Sequence, residues 1–328
     1  MEVLKIGTRI VSTARSLPDF LVTNDDLTAL VDTSDEWIYT RTGIRTRYIS
    51  RGETVSSLSA DVFNKLVTAA GYSPEDIDLL IVATVTAEYL FPASSTFVLD
   101  KVGAKNAFGF DLGAGCTGFV YALSVADKMI RSGVYKNAVV IGADILTKFT
   151  DWTDRQTCIL FGDGAGGFLL EATDGENCIL AEDMHTDGSH AMKLRGWRLP
   201  LNNAWHKDEG PEEPYLLMDG KAIYEFVTQK VPQSIRAVLD KAKVTMDDIK
   251  HIVCHQANGR LIESMAKKMK MSMEKFYISI NKYGNTSSST MPIAISEMME
   301  NGLIEKGDKV IISGFGAGLT WGSLLVQF

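Results

Sequence analysis

An internal repeat constrains the fold of this chain more than any other feature of its sequence. Residues 73–83 match residues 245–255 at a constant offset of 172 positions, and in both copies a polar turn leads into a short apolar run. Such runs are typical of strands that are buried on both faces. An amphipathic helical pattern precedes each copy, over residues 54–71 and about 221–243. A strand–helix unit that occurs twice predicts an α/β fold of two similar halves whose element ends meet at a shared cleft.

The same repeat suggests where the chain divides. Its pattern is interrupted near residues 171–174, which predicts an N-terminal half over residues 1–172 and a C-terminal half over residues 173–328. Residues 183–215 break the pattern of the second half, because they are rich in polar and aromatic residues without a clear period. We expect this segment to be an irregular excursion that forms a lid or a wall of a pocket.

Charge and composition argue against several classes of protein. The 33 basic and 41 acidic residues give a net charge of −8, which does not favour a nucleic-acid partner. No run of ~18 apolar residues could cross a membrane, and the first residues lack the apolar core of a signal peptide, so a cytoplasmic location is expected. The four cysteines are scattered and show no Cys-x-x-Cys spacing. They are therefore predicted to be reduced and to bind no metal.

A glycine-rich turn carries the cysteine at position 116. Glycines at positions 113, 115 and 118 surround Cys116, and apolar residues then recur at helical spacing as far as Gly133. Cys116 is therefore expected at a helix N-terminus, where unpaired N–H groups and the helix dipole would lower the pKa of its thiol below about 8.5. A cysteine in such a turn can also be a small buried hydrophobic residue, so a catalytic role requires partners elsewhere.

Two residues of the second half are placed to be those partners. His255 follows the repeated strand, and Asn285 lies in a small-residue turn before another helix. Alignment of Gly133 with Gly302 gives an offset of 169, which puts Asn285 opposite Cys116. Ligands of α/β sheets bind beyond the carboxyl ends of the strands, so the three side chains are predicted to face one cleft. A single histidine at the end of a strand more often has a structural role and hydrogen-bonds its neighbours. A cysteine, a histidine and an asparagine at equivalent junctions together favour a catalytic site.

Several ordered motifs along nearly the whole chain resemble the β-ketoacyl-[acyl-carrier-protein] synthase III family, whose members start bacterial type II fatty acid synthesis. The motifs are residues 32–38, 41–45, 116–119, 153–155, 161–166, 255–258, 284–287 and 315–323. The resemblance implies the thiolase fold, a five-layer αβαβα sandwich of two duplicated halves. This agrees with the fold class that the repeat predicts independently.

The resemblance also implies a decarboxylating Claisen condensation. Cys116 would attack the thioester of an acyl-CoA primer, and the backbone N–H groups of Cys116 and Ala317 would bind the carbonyl oxyanion. His255 and Asn285 would then donate hydrogen bonds to the thioester oxygen of malonyl-acyl-carrier protein as CO₂ leaves. The product would be 3-ketoacyl-acyl-carrier protein. The family works as a homodimer and without a cofactor, so both properties are expected here.

Residues that bind the primer are implied in the same way. Trp37 and Arg155 resemble the pair that stacks on the adenine of CoA, since an indole and a guanidinium are good stacking surfaces. Arg41 matches a residue near the CoA phosphates, and Asn258 matches one that hydrogen-bonds the pantetheine arm. Phe91 matches a residue that lines or closes the acyl pocket from the dimer partner. Packing on a helix face is the alternative interpretation of Trp37.

A cluster of cations resembles the docking site of the family for its acidic carrier protein. Its members are Arg260, Lys267, Lys268 and Lys270. Residues 260–275 hold five basic and two acidic residues, a local charge of +3 on a chain of net charge −8. This distribution suits an acidic partner that is steered to the mouth of the cleft. A solvated helix face would look similar, with Glu263 paired to Lys267.

Two other functions are compatible with the sequence. The first is a related condensing enzyme of a secondary-metabolite pathway that uses another primer or malonyl-CoA. The second belongs to a different class, a catalytically silent subunit that only binds carrier protein, and the presence of Cys116, His255 and Asn285 argues against it. A glycine-rich run at residues 161–166 does not have the Gly-x-Gly-x-x-Gly spacing of a dinucleotide loop and is predicted to lead into a strand, so it is interpreted as a structural turn.

Overall fold

Residues 6–328 are the part of the chain that the computed structural model describes. The strands are β1 (Ile6–Ser16), β2 (Phe20–Thr23), β3 (Thr46–Ile49), β4 (Leu79–Ala83), β5 (Phe108–Leu112), β6 (Asn137–Ile145), β7 (Asp163–Asp174), β8 (Ile179–Thr186), β9 (Leu194–Arg195), β10 (Leu217–Met218), β11 (His251–Cys254), β12 (Lys309–Gly316) and β13 (Thr320–Gln327). The α-helices are α1 (Asp35–Thr42), α2 (Val55–Ala70), α3 (Ser94–Val102), α4 (Gly118–Arg131), α5 (Gly220–Ala242), α6 (Gly259–Met269), α7 (Ile280–Tyr283) and α8 (Thr290–Glu300).

Two mixed sheets form the framework. The first has the strand order β1–β7–β6–β4–β5, with β4 parallel to both of its neighbours. The second has the order β11–β12–β13–β8, with β11 and β12 parallel. The first sheet takes its strands from residues 6–174 and the second from residues 179–327. The chain therefore passes from one sheet to the other within a few residues of position 172, because β7 continues to Asp174.

Helices cover both faces of each sheet. Helices α4 and α8 lie between the sheets and pack against strands of both, whereas α2 and α3 cover the outer face of the first sheet and α5, with α6 beside it, covers that of the second. The side chains of β4 show why this strand reads as a continuous apolar run. Leu79 and Ile81 pack into the central core, while Leu80 and Val82 pack under the outer helices. The predicted five-layer αβαβα sandwich is confirmed.

The offset of 172 positions also relates elements that follow the repeated strand. Strands β6 and β12, like helices α4 and α8, begin 172 positions apart. The offset of 169 that placed Asn285 opposite Cys116 is therefore wrong. The 3₁₀ turn Gly115–Thr117 corresponds to the 3₁₀ turn Ser287–Ser289, so Ser288 takes the position of the cysteine. The misalignment arose because α8 has 11 residues and α4 has 14, which displaces the glycine that follows each helix.

The segment at 183–215 is irregular only in part. Strand β8 continues to Thr186 and pairs with β13, so the prediction is wrong for its first four residues. The polar side chains of this strand hide its pattern in the sequence, but they have partners in the fold: Asp183 accepts a 2.8 Å hydrogen bond from Lys241 Nζ, and His185 stacks on Trp321. A short 3₁₀ helix follows, and β9 and β10 then pair across an irregular stretch. Within residues 6–328 no helix is both long enough and apolar enough to span a membrane.

Candidate active site

A cavity of about 280 Å³ lies where the two halves meet, beyond the carboxyl ends of the central strands. Cys116 reaches it from the turn after β5, His255 directly follows β11, and Asn285 lies in the turn before α8. All three side chains line the cavity, as does Ala317 in the turn between β12 and β13. The structure thus brings together, in one chamber, the groups that were predicted as catalytic.

Glycines allow the two halves to approach closely at the cysteine. A Cβ atom at Gly316 would lie 2.9 Å from both the Cβ atom and the backbone nitrogen of Cys116, a separation that real Cβ atoms do not reach. Gly115 has a φ of +54°, and a Cβ atom there would lie 3.2 Å from the nitrogen of Ala317. The backbone after β12 therefore lies directly against the cysteine turn. This contact brings the backbone of residues 316 and 317 beside that of residues 115 and 116.

The thiol of Cys116 is protonated in this environment. Burial raises the pKa of the Cys116 thiol to about 12, the hydrogen bond from the Ser287 hydroxyl acts in the opposite direction, and the nearby Asp144 carboxylate raises it further. The expectation of a thiol pKa below its ordinary value is therefore wrong, because an apolar cavity and a neighbouring carboxylate oppose the helix N-terminus. The thiol form therefore predominates at neutral pH, and attack on a thioester requires that its proton be removed.

The imidazole of His255 is neutral and fixed. Its side chain is buried, its ring packs edge-to-face on Phe315 with centroids 5.1 Å apart, and Nδ1 lies 2.7 Å from Thr290 Oγ1. Burial lowers the pKa of His255 to about 3. The ring therefore carries one hydrogen at physiological pH, and Thr290 holds the nitrogen that does not face a ligand.

The carboxamide of Asn285 has a defined orientation. Its backbone nitrogen donates to the carbonyl of Leu160 at 2.9 Å, and its carbonyl accepts from the nitrogen of Gly162 at 3.0 Å, which ties the turn to the first half. Its side-chain Oδ1 accepts a 2.9 Å hydrogen bond from the backbone nitrogen of Ser287. The remaining atom, Nδ2, is a donor and is available to a ligand in the cavity.

Two hydroxyl groups and most of the apolar wall of the cavity were not predicted from the sequence. Ser287 Oγ lies 3.5 Å from Cys116 Sγ, and Thr290 contacts His255 as described. Both residues belong to a run of serine and threonine residues at positions 286–290, in which nothing in the sequence distinguishes one hydroxyl from the next. The wall includes Leu146, Phe149, Phe161, Leu194, Trp197 and Leu216.

The residues predicted to bind CoA lie together outside the cavity. The guanidinium carbons of Arg41 and Arg155 lie 4.3 Å and 4.8 Å from the Trp37 ring centroid. Trp37 is half-buried on α1, so it also packs on the helix face as the alternative interpretation held. The Asn258 side chain caps α6 through a 2.9 Å bond from Arg260 N and donates to the carbonyl of Arg41 at 3.1 Å. Asn258 thus joins the two halves at the cavity mouth, a contact that the sequence did not reveal.

Helix α6 carries the predicted docking cations, all of them exposed, and a neighbour of its N-cap, Ala257, lines the cavity. Arg260 lies in the first turn of α6, while Lys267, Lys268 and Lys270 lie two turns away at its end. The helix dipole favours cations at the C-terminal end and disfavours one at the N-terminal end, so Arg260 is not placed there for helix stability. In the described part of the chain, no ion pair within 4.0 Å joins Glu263 to Lys267.

Phe91 does not line the cavity of its own chain. It is 80 % exposed, next to Leu90 at 79 % and Tyr89 at 62 %, on the loop between β4 and α3. A separate groove of about 880 Å³ begins near this loop and shares Val85, Gly115 and Ala317 with the cavity. Among the residues that the structure describes, no group of three or more His, Cys, Asp or Glu side chains is arranged to hold a metal ion.

Comparisons with known proteins agree with this arrangement. The model of "3-oxoacyl-[acyl-carrier-protein (ACP)] synthase III" matches residues 110–188, and that of its C-terminal domain matches residues 239–328. β-Ketoacyl-[acyl-carrier-protein] synthase III of Lactococcus lactis is 44 % identical over 97 % of this chain and 98 % of its own. The Streptococcus mutans enzyme of the same name is 45 % identical with the same coverage. The crystal structure of 3-oxoacyl-[acyl-carrier-protein] synthase III from Aquifex aeolicus has a TM-score of 0.91 and 38 % identity over 98 % of this chain and 100 % of that one.

A thiolase-like sandwich with a cysteine, a histidine and an asparagine in one cavity defines a condensing enzyme. More specifically, the chain belongs to the 3-oxoacyl-[acyl-carrier-protein] synthase III family, which makes it an acyltransferase of fatty acid biosynthesis. These relatives favour neither the secondary-metabolite alternative nor the silent subunit.

Proposed function

We propose that the protein condenses an acyl-CoA primer with malonyl-acyl-carrier protein to give 3-ketoacyl-acyl-carrier protein and CO₂, through an acyl-Cys116 intermediate. One observation carries this proposal. A thiol from residues 1–172 shares a single apolar cavity with an imidazole and a carboxamide from residues 173–328. The steps below use only side chains and backbone N–H groups, so the proposed reaction needs no cofactor. We also propose that the enzyme works in the cytoplasm.

In the first step, the Cys116 sulfur attacks the carbonyl carbon of the acyl-CoA. The C–S bond to CoA breaks, and the thiol proton ends on the sulfur of CoA as it leaves. The close contact between the turn at Cys116 and the backbone at Gly316 supports a shared oxyanion site made by the N–H groups of Cys116 and Ala317. The apolar wall, with aromatic side chains such as Phe149 and Phe161, would receive the acyl chain.

In the second step, malonyl-acyl-carrier protein loses CO₂ in the same cavity. The electron pair of the broken C–C bond forms an enolate, whose carbon attacks the acyl-cysteine and releases the Cys116 thiolate. The thiolate then takes up one proton from water. Enolate oxygen needs hydrogen-bond donors, and Asn285 Nδ2 is one. His255 must donate from Nε2, which requires that Nδ1 has no hydrogen.

The surroundings of Thr290 support that tautomer of His255. The Thr290 hydroxyl has one hydrogen, and it lies within reach of both His255 Nδ1 and the carbonyl of Ser287. That carbonyl already accepts the backbone N–H of Thr290. Donation of the hydroxyl to Nδ1 therefore leaves no buried group unpaired, and it puts the imidazole hydrogen on Nε2.

Acylation with a panel of primers tests the proposed function directly. The protein is mixed with acetyl-CoA, a branched acyl-CoA, octanoyl-CoA or an aryl-CoA, and intact-protein mass shows which acyl group becomes attached. We expect one adduct of one acyl group, on Cys116 by peptide mapping, and 3-ketoacyl product once malonyl-acyl-carrier protein is added. A product formed with malonyl-CoA but not with the carrier protein would contradict the proposal in favour of the secondary-metabolite alternative.

We propose that CoA lies along the surface from Trp37 and Arg155 to the cavity mouth, with Arg41 near its phosphates and Asn258 near its pantetheine arm. The carrier protein, in turn, would dock on the cations of α6. Of the cations on α6, Arg260 lies in the first turn, close in sequence to the cavity-lining Ala257, and we propose that the phosphopantetheine arm enters on that side.

Arg260→Glu should raise the KM for malonyl-acyl-carrier protein about 10-fold, because reversal of a charge at the rim of an interface weakens attraction to an acidic partner. Acylation by acyl-CoA should change less than about two-fold, since charge reversal at the rim leaves the nucleophile untouched. The KM is measured by steady-state kinetics at varied concentrations of malonyl-acyl-carrier protein, and acylation is measured by intact-protein mass. Lys306→Glu is the control, because it makes the same change of charge at an exposed site on another surface. Equal losses of both activities in Arg260→Glu would contradict a docking role and would indicate that Arg260 binds CoA.

We also propose a homodimer in which the loop that carries Phe91 closes the partner's acyl pocket. The exposed Tyr89–Leu90–Phe91 loop is apolar, and so is the groove of about 880 Å³ that joins the cavity at Val85 and Ala317. Exposed aromatic residues of this kind mark interaction surfaces. A second copy would offer such a loop to each groove.

Phe91→Asp should shift the protein from dimer to monomer in sedimentation at micromolar concentration, because a carboxylate cannot be buried in an apolar groove without a partner. Acylation should slow as the pocket loses one wall. Leu303→Asp, a similar change at another exposed apolar residue, should leave the dimer intact. A Phe91→Asp protein that is still dimeric and fully active would refute this arrangement.

A further inference from the structure

Ser287 has a backbone conformation that side chains rarely adopt. Its φ is +55°, in the left-handed region, and it is one of four non-glycine residues in residues 6–328 with a positive φ. Glycine would fit this position without strain. Residues kept in such a conformation cluster at functional sites, where the surrounding structure imposes it. Ser287 is 1 % exposed and lines the catalytic cavity, so it meets that description.

This conformation directs two polar groups of one residue to two different places. The Ser287 hydroxyl is 3.5 Å from Cys116 Sγ, while its backbone nitrogen donates to Asn285 Oδ1 at 2.9 Å. Ser287 therefore contacts the nucleophile of one half and the carboxamide of the other. A right-handed conformation would point the Cβ atom and the hydroxyl elsewhere.

The Ser287 hydroxyl has a second possible acceptor, the buried Asp144 carboxylate, but that carboxylate does not depend on it. That carboxylate already accepts hydrogen bonds from five other donors, two on Ser288 and the rest on Thr84, Val85 and Thr86. The Cys116 sulfur, by contrast, gains negative charge as the thiol loses its proton, and a hydrogen bond to a charged acceptor is about twice as strong as one to a neutral acceptor.

We propose that Ser287 is a further catalytic residue of this site, whose hydroxyl donates to Cys116 Sγ as the sulfur becomes anionic and attacks the acyl thioester. The proposal rests on the function assigned to Cys116 above. In the resting site the contact is weak, because neutral sulfur is a poor acceptor. During the first step the contact shortens as charge develops, and it ends when the sulfur becomes acylated. The second step does not use the hydroxyl, since Asn285 is held by the backbone nitrogen of Ser287.

Two substitutions separate the hydroxyl from the strained backbone. Ser287→Ala keeps the Cβ atom and removes only the oxygen, whereas Ser287→Gly removes the oxygen and relaxes the left-handed conformation. Ser289→Ala is the matched control, because Ser289 is buried in the same turn but donates to the carbonyl of Thr286 instead. The measurement is the rate of acyl-enzyme formation from acetyl-CoA, by rapid quench and intact-protein mass. Decarboxylation of malonyl-acyl-carrier protein without primer is followed in parallel by CO₂ release.

We expect acylation to slow about 10- to 100-fold in both Ser287 variants, as loss of a hydrogen bond to a charged group predicts. Ser289→Ala should stay within about two-fold of the parent enzyme, as expected for a change that leaves the sulfur contact intact. Decarboxylation should be retained in all three variants. Acylation at the parental rate in Ser287→Ala overturns the proposal, and so does recovery of that rate in Ser287→Gly, which would assign the defect to strain. If the parent enzyme itself is not acylated on Cys116, the proposed function fails as well, so the two failures are distinguishable.

Discussion

Cys116→Ala should abolish the acyl-enzyme completely. Incubation with an acyl-CoA that adds one acyl group to the parent enzyme should leave the mass of the variant unchanged, and condensation should fall to background. The physical reason is that Cys116 Sγ is the nucleophilic atom of the cavity; the other cysteines are buried elsewhere. The methyl group of alanine is smaller than the thiol, so the turn should still fold.

A matched variant and a pH series complete this experiment. Cys158→Ala removes a buried thiol that does not line the cavity, and it should be acylated at the parental rate. Because the pKa of the Cys116 thiol is raised to about 12, its alkylation by iodoacetamide should keep accelerating with pH above 8.5, the ordinary value for a free cysteine. The alkylation rate rises with pH because only the thiolate reacts, and the thiolate fraction keeps growing through this range. An acyl adduct on Cys116→Ala would show that another residue is the nucleophile.

The halves and their layers could be predicted because their signals are local in the sequence. Strand β4 reads as a continuous apolar run since Leu79 and Leu80 face two different cores, and its counterpart β11 carries the same pattern. Glycine and small residues marked the turns that deliver Cys116 and Asn285. The offset between the two halves was predicted incorrectly at the end of α8. This helix is shorter than its counterpart α4, so the glycines that follow the two helices are not at equivalent positions.

Properties that depend on tertiary contacts could not be predicted. The helix N-terminus at Cys116 predicted a more acidic thiol, but the sequence does not show that β12 and Asp144 enclose the sulfur. Ser287 has a left-handed φ and contacts both Cys116 and Asn285, and a serine in the sequence gives no local sign of either property. The hydrogen bonds by which the Asn258 side chain caps α6 and binds the backbone of Arg41 were not predicted either, because they join residues that are far apart in the sequence.

The second half-reaction should depend on Asn285 and His255 far more than the first. Asn285→Ala and His255→Ala should each slow decarboxylation of malonyl-acyl-carrier protein at least about 100-fold, the usual effect of removing one donor from an oxyanion site. Acylation of Cys116 from acyl-CoA should change much less, because neither side chain belongs to the oxyanion site made by Cys116 and Ala317. The two steps are measured separately, by CO₂ release and by intact-protein mass.

A nearly isosteric substitution distinguishes hydrogen-bond donation from packing. Asn285→Asp preserves the shape of the side chain but replaces the Nδ2 donor with an oxygen, so it should lose decarboxylation at least as severely as Asn285→Ala. For His255, burial lowers the pKa to about 3, so the imidazole stays neutral and the decarboxylation rate should show no titration near 6.5, the ordinary value for histidine. A rate in Asn285→Asp close to that of the parent enzyme would mean that the carboxamide only fills space. A rate that falls on deprotonation near 6.5 would mean that His255 acts as an imidazolium, which its burial beside Phe315 opposes.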